Sequence, residues 1–346
     1  MKRILLVCIL LVAMVIPVSA SGIVAPPVPD DVEQIMPAED MGFGDKLWHM
    51  IQEAATQAQP AVAAGIKLCL SVAAVVLLIE VLQNVGGKSK QFVNLAGVIA
   101  VGAILLGNTS TMIEMGTETV QKISQYGKLL LPVMAAALAS QGGATSAATF
   151  YGATVLFDAI LTSIISSVLI PLLYIYLILA ISGAALDDDF LRKMRDISKK
   201  IMTWFLKIVL YVFTGYISVS GVISGTADQT AVKATKLTIS GMVPVVGGIL
   251  SDASETVLIG AGLVKNAAGI YGVLALAAIV IVPFITIGAQ YLLLQITSLC
   301  CSAISSKTLT EVLNDFSGAM GLVLGMTGAV CLIQMISVVC FLKGMS

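Results

Sequence analysis

Four ionisable residues lie inside or between apolar runs of this sequence, where they could form a polar path through a membrane. They are Asp158, Lys207, Asp252 and Glu255. An ionisable group at the centre of a membrane helix costs about 2.5 to 3.5 kcal/mol on insertion scales, so each one needs a physical role. The elements that hold these four residues decide what that role is.

Asp158 lies in GATVLFDAILTSII, well inside apolar sequence on both sides. A carboxyl group there should face a protein interior or water, pair with a cation such as Lys207, or stay protonated. A packing contact and a lumen-facing or ion-sensing role are equally open. Lys207 is predicted about two turns inside its own span, from which its long side chain could also reach the interface.

Asp252 and Glu255 belong to the stretch VPVVGGILSDASETVL, residues 243–258. Its proline and paired glycines predict a broken membrane helix, with Ser251 or Asp252 capping a new half-helix. Irregular backbone is tolerated at membrane depth only in protein or beside water, so this interruption predicts a buried or water-lined site. An external loop beside a short span is the alternative.

A similar Pro-Val segment, LLLPVMAAALAS, is too short for a full span. The predicted helix breaks are Pro132, Pro244, Gly247 and Gly248.

The composition indicates a membrane protein. Of 346 residues, 58% are hydrophobic and 11% are charged, against roughly a quarter charged in soluble domains. We therefore predict an all-α polytopic integral membrane protein with about 7–9 membrane segments, some of them short or broken. The 19 basic and 20 acidic residues nearly balance, which gives no indication of a nucleic-acid partner.

Neither a cofactor nor an enzymatic activity is expected. The single histidine, His49, cannot form a histidine metal site alone, and the six cysteines have no C-x-x-C spacing. Walker A, H-E-x-x-H and G-x-S-x-G motifs are absent from the contexts that they require.

The N-terminus is typical of a secretory signal peptide. Lys2 and Arg3 precede an apolar core and a small-residue cleavage site at 18–20, so residues 1–20 form the predicted signal; an uncleaved first helix is the alternative. Residues 21–63 are predicted to be an external linker and an amphipathic surface helix with Trp48 at headgroup level. Residues 64–346 then form the multi-span domain.

Basic residues in short loops predict which parts of the chain face the cytoplasm. Residues 187–200, DDDFLRKMRDISKK, are the densest basic cluster, although a plain solvated loop also fits, and its acidic residues could cap the following helix. The mature N-terminus is predicted outside, and Lys343 predicts a cytoplasmic C-terminus. The other predicted elements are a first crossing at 65–82, a span at 92–107, an external polar helix at 108–128, two spans within 150–186, one span at 201–224 and a last span at 316–341.

Two regions of the chain are alike in their order of elements, namely spans around a basic loop, a polar helix and a Pro-Val segment. They predict a parallel internal repeat of residues 64–166 and 167–299. Chance similarity between low-complexity apolar stretches is the alternative explanation.

Glycines at helical spacing form stripes that let membrane helices approach closely. Such stripes serve packing within one chain or an oligomer interface. The predicted packing glycines are Gly221 and Gly225 in one span and Gly318, Gly321, Gly325 and Gly328 in the last.

Residues 214–269, from TGYISVSGVISGTADQTAVKATK through VPVVGGILSDASETVLIGAGLVKNAAG, resemble the stage III sporulation protein AE family. KLLLPVMAAALASQGGATSAAT at 128–149 is similar to a second stretch of that family. The resemblance implies a place in the mother-cell membrane around the forespore, within a multi-protein channel or secretion-like apparatus. Implied partners are other stage III A operon proteins and the forespore protein Q. The resemblance implies no catalytic residue in this sequence.

We therefore expect a membrane subunit of the channel complex that links mother cell and forespore and is needed for late forespore development. An independent small-solute permease and a passive membrane scaffold for ring-forming partners are the alternatives.

Overall fold

The structure is a computed structural model that describes residues 26–37, 42–85, 90–140, 144–219, 267–303 and 306–344. Every secondary-structure element in these ranges is helical, which confirms the predicted all-α class. The elements are α1 (Asp30–Glu33), α2 (Phe43–Val85), α3 (Lys90–Ser140), α4 (Ala144–Ile164), a π-helical turn (Ile165–Leu169), α5 (Ile170–Leu186), α6 (Asp189–Val219), α7 (Ala267–Ser302) and α8 (Lys307–Gly344).

Within the described residues, five helical stretches are long and apolar enough to cross a membrane. This confirms a polytopic membrane protein, although five is fewer than the predicted seven to nine. The predicted span at 201–224 lies in α6 as far as Val219, and its remaining residues are outside the described ranges. The five stretches are Gly44–Gln83, Lys90–Ala139, Ala147–Leu186, Gly269–Ser302 and Lys307–Leu342.

Helix α3 is continuous where the sequence predicts a span, an external polar helix and a Pro-Val segment. Its 51 residues correspond to about 75 Å at 1.5 Å per residue, well beyond the roughly 30 Å hydrocarbon core. The polar region at 108–128 keeps one apolar face, on which Ile113, Val120 and Ile123 are fully buried. This face packs on the bundle and holds the polar region in the same helix.

The predicted helix break at Pro132 does not occur. Pro132 lies inside α3, on its exposed side, and the helix continues to Ser140. Proline removes one backbone hydrogen bond from a helix, but Leu131 and Met134 beside it are buried in the core. Packing on the opposite face thus outweighs the local disruption, which sequence alone does not reveal.

Two other regions form fewer elements than predicted. Residues Ala144 to Leu186 run as α4, the π-helical turn and α5 without interruption, so the two spans predicted there are one long helical stretch. The π turn comes directly before Pro171, where the missing N–H favours such an irregularity. The predicted surface helix and first crossing are likewise joined in α2, which passes through Pro60.

Helix α8 forms the centre of the bundle. Nearly every residue from Val312 to Leu342 is buried. It packs most extensively against α7 and α3, and it also contacts α4, α5 and α6. A helix that is apolar on all sides is surrounded either by protein or by lipid, and here other helices surround it.

Helices α2 and α7 run parallel to each other. Gly65 of α2 lies against the side chain of Gln290 in α7. Farther along, Glu80 accepts a hydrogen bond from the backbone N–H of Ser306, just after α7. The two helices therefore begin at one end of the bundle and finish at the other.

Helix α8 returns to the end at which α2 and α7 begin. Its Leu342 side chain lies against Gly269, near the start of α7. At the opposite end, Glu311 in its first turns is paired with Arg192 of the basic segment. With these helices across a bilayer, the start of α2 and the end of α8 lie on the same side of the membrane. The side that each end of the chain faces stays a prediction.

Candidate functional site

A set of charged and polar side chains joins the first halves of α6 and α8 to the middle of α5. We call it the charged seam; it consists of Tyr176, Arg192, Arg195, Lys199, Glu311 and Asp315. At its centre, Arg195 Nη1 donates a 2.6 Å hydrogen bond to Asp315 Oδ2, and these side chains are only 13% and 11% exposed. The buried Tyr176 Oη donates to Asp315 Oδ1 at 3.0 Å. Both carboxylate oxygens thus have partners, as a buried charge requires.

The charged seam continues on both sides of this pair. Arg192 Nη2 donates to Asp187 Oδ1 at 2.7 Å, and its Nε lies 3.5 Å from Glu311 Oε2 in an ion pair without a hydrogen bond. Lys199 reaches α8 at Gly318, where an added Cβ would lie 2.8 Å from Lys199 Nζ. Gly318 therefore leaves room for the lysine to approach α8.

Electrostatics keep Arg195 ionised within the seam. Desolvation by burial would lower the pKa of Arg195, but the carboxylates of Asp315 and Asp196 outweigh it and raise that pKa. The seam can therefore hold α6 against α8 through a fixed charge pair.

The sequence contains a signal for the seam that our sequence analysis missed. Arg192, Arg195 and Lys199 are three and four residues apart, and Glu311 and Asp315 are four apart. Each set therefore lies on one helix face. The 187–200 segment was interpreted as a loop, but it is helical from Asp189.

The acidic start of this segment does cap the following helix, as predicted. Asp187 adopts a left-handed conformation with φ 54° and ends α5. Asp188 Oδ1 then accepts hydrogen bonds from the N–H groups of Phe190 at 2.7 Å and Leu191 at 3.1 Å. The capping aspartate fixes where α6 begins and thereby which arginines face α8.

A second polar group lies among α3, α4 and α8, and we call it the polar junction; its residues are Ser124, Gly127, Thr154, Asp158, Gln334 and Ser337. Ser124 Oγ donates a 2.6 Å hydrogen bond to Asp158 Oδ2, and Thr154 Oγ1 donates to Ser337 Oγ at 2.7 Å. The Gln334 amide lies over Gly127, where a Cβ would be 2.4 Å from Nε2.

Asp158, one of the predicted site residues, is thus in the protein interior and only 2% exposed. The alternative of an ion pair with Lys207 is wrong: the carboxylate bonds Ser124, and no ion pair in the described residues joins it to the half-buried Lys207. Helical spacing makes the junction, since Thr154 and Asp158 are one turn apart on the same face of α4.

The remaining predicted residues divide into two sets. Gly318, Gly321, Gly325 and Gly328 are all buried in α8, inside the bundle; their role in an oligomer stays a prediction. Seven others lie outside the described residues, namely Gly221, Gly225, Pro244, Gly247, Gly248, Asp252 and Glu255. In the described ranges, no three His, Cys, Asp or Glu side chains form a group that could hold a metal ion.

A bundle of long apolar helices around a central buried helix, with a charged seam and a buried polar junction, defines a polytopic helical membrane protein. The chain belongs to the stage III sporulation protein AE family, whose sequence profile matches residues 37–344. This establishes a sporulation protein and confirms the resemblance drawn from 128–149 and 214–269.

A curated relative, stage III sporulation protein AE of Bacillus subtilis (strain 168), is 28% identical over 213 residues. The match covers 61% of this chain and 53% of the relative, so the matched region spans about half of the relative's length. No solved structure matches the chain.

Proposed function

We propose that this protein is a non-catalytic membrane subunit of a channel or secretion-like complex that links mother cell and forespore during endospore formation. The observation that carries the proposal is its membership of the stage III sporulation protein AE family across residues 37–344. Its site would be the mother-cell membrane around the forespore. Its partners would be other stage III A operon proteins and the forespore protein Q.

The described architecture favours a subunit over an independent permease. The permease alternative depends on broken helices that present a substrate site at mid-membrane. In the described ranges, the helix is continuous at Pro132, and the centre of the bundle is filled by α8. A conducting path along the bundle axis of one chain would have to displace that helix, so a path between subunits fits better.

The exposed faces of the outer helices also suit a complex in a membrane. Large apolar side chains on α2 and α6 are exposed on the bundle, among them Leu70 and Leu78 of α2 and Trp204 and Tyr211 of α6. In a membrane such faces contact lipid or neighbouring helices, and both are compatible with a subunit among partners.

The topology that we propose follows from the basic residues and the bundle together. The charged seam and the 187–200 segment would face the mother-cell cytoplasm, since basic residues favour that side. The start of α2 and the end of α8 would then both face the space between the two membranes. This replaces the predicted cytoplasmic C-terminus.

Native purification from sporulating cells in a mild detergent tests the proposed function. We expect the tagged full chain to co-purify with stage III A operon products in a large particle. The same chain, reconstituted alone in vesicles, should transport no solute. Monomeric particles without partners would contradict the proposal, and solute transport by the protein alone would support the permease instead.

A scaffold differs from a channel subunit in its need for polar residues. Joint neutralisation of Asp252 to Asn and Glu255 to Gln should impair spore formation if the subunit contributes to a polar path. A passive scaffold should tolerate the double change. The matched control is Asp187→Asn, which removes an exposed carboxylate and should leave sporulation intact.

A further inference from the structure

The six residues of the polar junction form a closed ring of contacts among three helices. Ser124 of α3 bonds Asp158 of α4. Thr154, one turn from Asp158, bonds Ser337 of α8. The ring closes where Gln334, about one turn from Ser337, lies over Gly127 of α3. All six residues therefore lie within about two helical turns of one another along the bundle.

Polar atoms of the junction retain unused bonding capacity. Asp158 Oδ1 and both amide atoms of Gln334, Oε1 and Nε2, are buried and have no hydrogen-bond partner. The two side chains are 2% and 1% exposed. A buried polar group without a partner is destabilising, and more so if it is charged. Two of these atoms, Asp158 Oδ1 and Gln334 Oε1, are acceptors, and they point to a bound species that satisfies both.

The negative charge of the Asp158 carboxylate limits which species can bind in the polar junction. The one described partner of the Asp158 carboxylate is the neutral Ser124 hydroxyl, and no ion pair in the described part of the chain involves Asp158. A bridging water would supply hydrogen bonds but would leave a net negative charge in a low-dielectric interior, which is costly. A bound cation supplies both a partner and the missing charge.

We propose that the polar junction binds one monovalent alkali cation, Na⁺, between the Asp158 carboxylate and the Gln334 carbonyl oxygen. The available ligands are one carboxylate and neutral hydroxyl and amide oxygens, which are the hard donors that such ions prefer. One carboxylate balances one positive charge. Since the ligands come from α3, α4 and α8, the cation would hold the central helix to two of its neighbours.

Thermal unfolding of the purified full chain in detergent tests this inference. NaCl should raise the unfolding midpoint saturably, because a ligand that binds only the folded state stabilises it. Choline chloride at equal ionic strength and pH should not. Direct binding of ²²Na⁺ to the wild-type protein should saturate near one ion per chain and compete with unlabelled NaCl but not with choline. The inference does not depend on the proposed channel function.

Three variants locate the site. Asp158→Asn should abolish both ²²Na⁺ binding and the NaCl-dependent shift, and Gln334→Leu should weaken binding at least tenfold. Asp187→Asn, in an exposed carboxylate, should bind as the wild type does. If Asp158→Asn does not fold, Gln334→Leu and the wild-type binding measurement still decide the matter.

Several results would overturn the inference. One is equal stability of the wild type in NaCl and choline chloride together with no saturable ²²Na⁺ binding. A second is full NaCl response in Asp158→Asn, which would place the cation elsewhere. A third is wild-type stability in Asp158→Asn with no cation dependence in either protein, which would mean that Asp158 holds no cation.

Discussion

Exchanging the central ion pair of the charged seam for neutral side chains of similar volume tests why α6 is held against α8. The changes are Arg195→Met, Asp315→Asn and the two together. Each single change leaves one charge in a site where the original side chains are 13% and 11% exposed. The double change leaves none. Stranding a buried charge is strongly destabilising, whereas replacing both charges is often neutral.

The structure sets the expected size of the effect. Two unit charges about 4 Å apart attract by about 4 kcal/mol at an effective dielectric constant near 20, which suits a partly buried pair. Arg195→Met leaves the Asp315 carboxylate without its cation and should therefore lose about 3 to 5 kcal/mol of unfolding free energy. Asp315→Asn should lose less, about 2 to 3 kcal/mol, because Arg195 keeps its ion pair with Asp196. The double variant should lose about 2 kcal/mol or less, so the coupling energy should be about 3 kcal/mol or more.

The assay is equilibrium unfolding of the detergent-solubilised protein across the four members of the cycle. The matched control is the neighbouring pair Arg192 and Asp187, in which the aspartate side chain is 73% exposed. There the coupling should be at most about 1 kcal/mol, as for surface ion pairs. Additive losses at Arg195 and Asp315, or equal coupling in both pairs, would refute the reasoning.

Three further predictions concern helix packing and topology. Gly127→Ala should lower the free energy of unfolding by about 1 to 3 kcal/mol because the added Cβ meets the Gln334 amide. The control Gly107→Ala, which has open space at its Cβ, should be neutral or stabilising by up to about 1 kcal/mol. Equal effects of the two changes in chemical denaturation would contradict the packing of Gly127 against Gln334. Pro132→Ala should raise thermal stability, since it restores a backbone hydrogen bond in a continuous helix; a loss would mean that the proline is required. Epitope tags between Asp187 and Asp188 and after Ser346 should be accessible from opposite sides of the membrane, and labelling of both from one side would contradict the bundle.

Sequence reasoning succeeds here where hydrophobicity alone decides the outcome. The all-α class and the membrane character follow from long apolar runs. The apolar neighbours of Asp158 leave its interior position as one of two equally open alternatives. The capping role of the acidic segment also follows from local chemistry, because Asp188 needs only the N–H groups of the next turn.

Long-range packing accounts for what sequence reasoning does not find. Local sequence rules predict a helix break at Pro132, and only the buried Leu131 and Met134 show why the helix continues. The sequence around Ser124 does not indicate its partner; the fold places its hydroxyl 2.6 Å from the Asp158 carboxylate, 34 positions away. The partners in the charged seam are 120 positions apart, and no local pattern states which helices will meet.

The central position of α8 has a consequence for biosynthesis. Helices enter the membrane in chain order, so α2 to α7 are inserted before the helix that they surround. Until α8 arrives, Asp158 lacks the residues of α8 that complete the polar junction, and Arg195 lacks its partner Asp315. Before α8 is inserted, the earlier helices therefore form an incomplete bundle whose central polar side chains are exposed, and α8 then fills the centre. Premature termination before Lys307 should yield a product that membrane quality-control proteases remove.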